Sequence, residues 1–121
     1  VTINRKALYE RCKGMCEFCG GVLSENWAAH HRKLRSQGGK DDLDNVVALH
    51  HECHNLGTNS VHLNPQKSYD DGFMVRSWAD PKTTPLNLTH HWLVILTPDG
   101  EYAGYQTPKD VDDTGRNTRS N

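Results

Sequence analysis

Apolar residues in this chain come in short groups separated by polar and glycine-rich stretches, and the period within each group predicts an element. "INRKALYERCKG" (3–14) places Leu8, Tyr9 and Cys12 at helical spacing and stops at Gly14, which predicts a short helix. "CEFCGG" (16–21) reads as a tight turn. "NWAAHHRKL" (26–34) and "DNVVALHH" (44–51) predict two strands, the second marked by the unbroken run Val46, Val47, Ala48 and Leu49. "RSQGGKDDLD" between them is a loop punctuated by Gly38 and Gly39. A second helical stretch is expected from about His51 through Cys53 and His54, interrupted by "NLGTNS" (55–60). "NPQKSYDDG" (64–72) opens with Asn-Pro and ends in Gly, the punctuation of another short helix. "FMVRSW" (73–78) and "HWLVILTPDGEYAGY" (91–105) read as strands, the latter folded at Pro98-Asp99-Gly100 into a hairpin. Residues 106–121 are polar and aperiodic, so a disordered tail is expected there. The pattern is that of an α+β domain over residues 1–105.

Composition sharpens this picture. Of 121 residues, 35% are hydrophobic and 7% aromatic, so the core is small and would gain from a bound metal. The net charge of −1 excludes a uniformly basic nucleic-acid binder. Charge is unevenly spread, however. Arg5, Lys6, Arg11 and Lys13 form one basic group and Arg32, Lys33, Arg35 and Lys40 another, while carboxylates gather at 41–44, 70–71 and 110–113. A basic face and a mixed solvated surface both fit that distribution. No apolar run approaches the ~20 residues needed to span a bilayer, which argues against a membrane protein.

Four cysteines and eight histidines are dense for this length. No apolar signal segment opens the chain, and Cys16 and Cys19 are too close to pair comfortably, so a cytoplasmic metal-binding domain is expected rather than a disulfide scaffold. Cys16-x-x-Cys19 supplies half of a zinc site, and His50-x-x-Cys53 offers the same gap about thirty residues later. Two such knuckles complete a tetrahedron of thiolate and imidazole ligands. Cys12 competes for the place of His50, since it lies one helical turn before Cys16.

With those ligands assigned, His30, His31, Asn45, His54 and His62 remain. A histidine pair on one strand, an asparagine opening the next, and histidines on a following helix resemble the HNH endonuclease family. The resemblance is carried by Ala29-His30-His31, by "DLDNVVALHHECH" (42–54) and by the enclosing cysteine pairs, over residues 12–62. It implies a ββα-metal motif braced by a structural zinc knuckle, with a C-terminal β-hairpin extension over 63–105. More loosely, "DGFMV" and the "HWLVILTPDG" hairpin look like the small HNH proteins of tailed bacteriophages. The resemblance therefore implies DNA as a partner, and it brings in phage packaging proteins (terminase or portal) and the cytoplasm of a bacterial host. A monomer or weak dimer is expected.

Carried over by position, the resemblance makes His30 and His54 ligands of a catalytic divalent ion, Mg2+, Mn2+, Ni2+ or Zn2+. His31 takes the place of the general base. Asn45 takes that of the central asparagine, which orients the hairpin loop or reaches the metal in different relatives. An imidazole with its unperturbed pKa of ~6.5 can accept a proton from water near neutrality. His62 stands eight residues after His54 where some relatives space the pair by four. On an unbroken helix eight residues rise ~12 Å, too far for one small ion, so His62 can serve only if 55–59 bulges out. Arg32, Lys33 and Arg35 could hold DNA phosphates. His90 and His91 read as structural or surface residues, His51 as solvent-facing, and Trp27, Trp78 and Trp92 as core. The rival readings are a non-catalytic zinc module that binds nucleic acid and a packaging or assembly protein.

Overall fold

Asn4 starts the first helix by accepting a hydrogen bond from Ala7 N–H at 3.1 Å, and α1 runs Arg5–Arg11 with Leu8 and Arg11 on its buried face. The computed structural model describes residues 2–88 and 93–104. The expected residues His90, His91 and Trp92 and the expected tail at 106–121 lie outside that range.

Strands β1 (Ala28–His31) and β2 (Val46–Leu49) form an antiparallel pair in which Ala28 faces Leu49 and His31 faces Val46. All four residues of β2 are buried, because the chain covers both of its faces, and this explains the unbroken apolar run. β1 alternates between buried and half-buried positions, so the adjacent histidines project from opposite faces. A single wide helical turn, Glu52–Leu56, follows β2 and closes with Gly57 N–H on the Glu52 carbonyl at 2.9 Å. The ββα unit anticipated from the sequence is therefore present, with shorter elements than the apolar pattern suggested.

α2 (Pro65–Asp71) ends at Gly72, whose φ is 84° and whose hypothetical Cβ would lie 2.0 Å from the Pro85 carbonyl oxygen. Only glycine fits that approach. A second sheet orders β3 (Leu86–Asn87), β4 (Leu93–Leu96) and β5 (Tyr102–Gly104) side by side, all antiparallel. Its hairpin turns at Gly100, with φ 86° and its N–H on the Thr97 carbonyl at 3.2 Å. β3 is too short to have left a periodic signal.

Two expectations are corrected here. Residues 73–78 form no strand. Phe73 and Val75 are buried at alternate positions, as a strand would bury them. The carbonyl of Phe73, however, accepts from the His30 ring instead of a neighbouring strand, and Ser77 and Trp78 lie in a turn. Trp78 is 80% exposed and is no core residue, whereas Trp27 is buried. One cluster of buried side chains runs from Leu8 through β2, Val61 and Phe73 to Leu86, Val94 and Leu96. No helix among the described residues is long and apolar enough to cross a membrane.

Two arginines lie inside. Arg11 meets Glu17 through paired hydrogen bonds at 2.9 and 3.0 Å, with both side chains 1% exposed, and also donates to the carbonyls of Leu43 and Val46. Glu17 accepts further from Ala48 N–H and from the Tyr102 hydroxyl. Arg32 donates to four carbonyls, those of Gly72, Asp44, Pro81 and Thr84, at 2.7–3.2 Å. Breaking a buried ion pair by removing one partner costs about 3–5 kcal/mol. Glu17→Gln is therefore expected to lower stability by about that amount, read as a drop in the urea midpoint at constant slope; an unchanged midpoint would show that the pair is dispensable.

Candidate active site

The turn after α1 closes with an isolated antiparallel bridge between Met15 and Val22 and presents Cys16 and Cys19. His50 leaves the end of β2 and Cys53 sits in the helical turn. The metal-binding atoms of these four residues all lie within 4.8 Å of one another. Zinc–thiolate bonds of ~2.3 Å in a tetrahedron imply sulfur separations of about 3.8 Å, so the cluster has the size of a closed zinc site. Its surroundings agree. Cys16 Sγ accepts from the N–H groups of Phe18, Cys19 and His50 at 3.4–3.5 Å, and Cys19 Sγ accepts from Gly21 N–H. His50 turns Nδ1 toward Cys19 and Cys53, while Nε2 bonds the Val22 carbonyl at 2.7 Å, the outer contact that fixes a ligand imidazole. Burial, and then the nearby thiol of Cys16, push the Cys53 thiol far up. A cation there reverses that repulsion. Cys12 stands apart in the core, its Sγ directed at the Tyr9 carbonyl.

A second cluster lies on the other side of the helical turn. His30, 2% exposed, points inward from β1, and its Nε2 donates to the Phe73 carbonyl at 2.7 Å. That bond leaves the Nδ1 lone pair for a cation. His54 comes from the helical turn and His62 from the segment returning beside it. The return is held by Val61 N–H on the Cys53 carbonyl at 2.8 Å and His62 N–H on the His54 carbonyl at 3.1 Å. Asn64 clamps it further by donating to the carbonyls of Thr58 and Ser60. The helix stops at Gly57, whose backbone is extended (ψ 159°), so the eight-residue gap never rises along one axis. His54 Nε2 and His62 Nε2 are 3.1 Å apart, and the ligand atoms of His30, His54 and His62 lie within 4.8 Å of one another. Bonds of ~2.0–2.1 Å to a tetrahedral ion imply nitrogen separations of about 3.3 Å, so the three imidazoles fit one.

His31 projects from the opposite face of β1, toward the loop. Its Nε2 lies 2.7 Å from Asp41 Oδ1, which also accepts from Arg35 Nε and Nη2 at 3.1 and 2.8 Å. These hydrogen bonds, that from His31 first, hold the Asp41 carboxyl below its usual range, so it is the acceptor. Asn45 accepts from Lys33 N–H at 2.8 Å and donates to the carbonyls of Lys33 and Lys40, so its side chain closes the loop between the strands. The basic residues after the histidine pair are not a stripe. Arg32 is 1% exposed and its guanidinium is engaged by four carbonyls, which corrects its expected contact with DNA. Lys33 donates to the Ala79 carbonyl, and Arg35 keeps an exposed guanidinium. His51 is half-buried rather than fully exposed.

Residues 16–60 match the HNH endonuclease family model. The match covers 45 of the 121 residues, so over that segment the chain is similar to an HNH domain. No curated protein and no solved structure gives a significant match. The matched segment contains both knuckles, His30, His31, Asn45 and His54, while His62 falls just beyond it. Members of the HNH family are nucleases that use divalent metals and act on DNA. Sequence reasoning missed Asp41. It stood unremarked in the acidic run at 41–44, and the one available signal was that a loop joining β1 to β2 must fold back over the end of β1, where His31 lies.

Burial pushes His30 down to about 3. Burial, then the neighbouring His62 and His51, pushes His54 down to about 4. The unfolded chain therefore takes up protons on these rings at a higher pH than the folded one, and stability present above about pH 6.5 is lost as the pH falls toward those values. Acid titration of the metal-free triad, followed by circular dichroism, should show that loss, and bound Zn2+ or Ni2+ should move it to lower pH; a flat profile from pH ~7 to ~4 would contradict it. Loss of the contacts to a ligand ring alone weakens a site ~10–100-fold. His62→Ala is accordingly expected to weaken binding at the triad by at least that factor in calorimetry, with the Cys16–Cys19–His50–Cys53 site unchanged.

Proposed function

We propose that the chain is a metal-dependent endonuclease that hydrolyses phosphodiester bonds in DNA, with one divalent ion at His30, His54 and His62 and a structural zinc ion at Cys16, Cys19, His50 and Cys53. The observation that carries this reading is the convergence of three imidazoles from β1, the helical turn and the returning segment, the first of them next to His31 on β1. Three nitrogen ligands favour a transition ion such as Mn2+, Ni2+ or Zn2+ over Mg2+, which prefers oxygen and water.

Hydrolysis requires a water stripped of a proton, an in-line path to phosphorus, and neutralisation of the charge that accumulates on phosphate and leaving oxygen. A divalent cation at the triad supplies that neutralisation. His31 is the general base: with Nε2 committed to Asp41, its Nδ1 carries the lone pair that receives the water proton. The oxygen–phosphorus bond forms as the bond to the 3′ oxygen breaks, the leaving oxygen takes a proton from solvent, and His31 returns its own. Asn45 holds the loop that carries Lys33 and Lys40 against β1. Arg35, exposed at the rim, and the more enclosed Lys33 are the basic groups placed to meet backbone phosphates.

Supercoiled plasmid incubated with each divalent ion in turn tests this. The wild type should nick or linearise it with at least one ion, and His31→Ala should lose ~10²–10⁴ in rate while keeping its circular dichroism spectrum. Intact plasmid under every ion would favour a binding module without catalysis, and equal rates in the two proteins would remove His31 from the mechanism.

A further inference from the structure

Among the described residues the only hydrogen bonds Asp41's side chain makes within its own loop are those from the Arg35 guanidinium. The loop is shaped by Asn45, by Gln37 and Gly39 N–H on the Leu34 carbonyl at 2.9 Å, and by Asn45 N–H on the Asp42 carbonyl at 2.9 Å. Among the described residues the hydrogen bonds of the Asp41 carboxylate go to two side chains, the His31 ring and the Arg35 guanidinium. The Asp41 side chain is 10% exposed and that of His31 17%, whereas that of Arg35 is 65% exposed. An aspartate that braced the backbone would accept from backbone N–H groups. This one accepts from side chains.

A neutral imidazole carries one N–H and one lone pair, and its outer hydrogen bond decides which nitrogen has which. A ring at the end of a four-residue strand is also free to turn about its Cβ–Cγ bond unless something holds it. A carboxylate oxygen 2.7 Å from Nε2 does both jobs, drawing the proton to Nε2 and fixing the ring plane. Arg35 bonds the same oxygen through two N–H groups and so holds Asp41 against His31 from the solvent side. We infer that Asp41 is the positioning residue of the hydrolysis, acting through His31, with Arg35 as its clamp. The inference rests on the nuclease reading for its kinetic consequence and on geometry alone for the state of the ring.

The experiment uses the zinc-loaded full chain, as wild type, Asp41→Ala and Arg35→Ala. Ring ¹⁵N shifts of His31 at about pH 8, where a free imidazole is neutral, should show the proton on Nε2 in wild type and a mixture of tautomers in Asp41→Ala. In the plasmid assay Asp41→Ala should lower kcat about tenfold or more, within the ~10²–10⁴ that a general base is worth, with KM within about twofold and Ni2+ affinity at the triad unchanged. Arg35→Ala, which removes the clamp but leaves the carboxylate, should keep the proton on Nε2, lower kcat by less than Asp41→Ala does, and raise KM as expected for a residue at the rim; a wild-type kcat in Arg35→Ala would remove the clamp from the inference. A His31 ring with its proton on Nδ1, or an Asp41→Ala protein with wild-type kcat, would overturn the inference. Wild-type protein inert under every ion would overturn the nuclease reading instead, and the ring shifts would still decide whether Asp41 sets the tautomer.

Discussion

Glu17 carries a charge into the interior, and Arg11 meets it there with two parallel hydrogen bonds, both side chains almost fully buried. Stripping two ions of solvent is costly unless every remaining lone pair and N–H finds a partner. Here the carboxylate also receives Ala48 N–H and the Tyr102 hydroxyl, and the guanidinium also reaches the carbonyls of Leu43 and Val46. Because Glu17 lies between Cys16 and Cys19, one pair of side chains ties the first knuckle to α1, β2 and β5. His50, at the end of β2, is thereby held within reach of Cys19. The knuckle geometry, and with it the placement of the helical turn that bears His54, depends on that buried charge pair.

Arg32 plays the corresponding part for the segment after α2. Its four carbonyl acceptors come from 44, 72, 81 and 84, so a residue next to the histidine pair gathers three separate stretches of chain onto β1. Val75 N–H joins them on the Arg32 carbonyl. This packing carries the Phe73 carbonyl to His30, where it engages the ring at Nε2. Residues outside the matched segment thus orient the His30 ring inside it.

The four knuckle residues, the histidine pair and the order of the ββα unit were legible because each is a local matter. Two-residue gaps put both groups of a knuckle on one turn, and strand alternation separates His30 from His31 without reference to anything distant. The terminal hairpin was legible for the same reason, through Pro98-Asp99-Gly100. Where local pattern misled, a tertiary partner had replaced the expected one. Phe73 and Val75 alternate like strand residues, yet an imidazole takes the carbonyl that a neighbouring strand would have taken. Arg32 looked like a phosphate ligand in a basic run, but its pleat direction carries it inward, opposite to that of His31.

The sequence by itself determined which chemical groups are present and how each is grouped along the chain: two knuckles, paired imidazoles on one strand, and a loop long enough to fold over them. Tertiary structure alone decided that His62 joins His54 and His30, that Asp41 faces His31, and that Cys12 stays out of the knuckle in favour of His50. Those outcomes turn on how the chain re-approaches itself after Gly57 and across the loop between β1 and β2. Such approaches are set by backbone hydrogen bonds between residues eight or more apart, and no local periodicity encodes them.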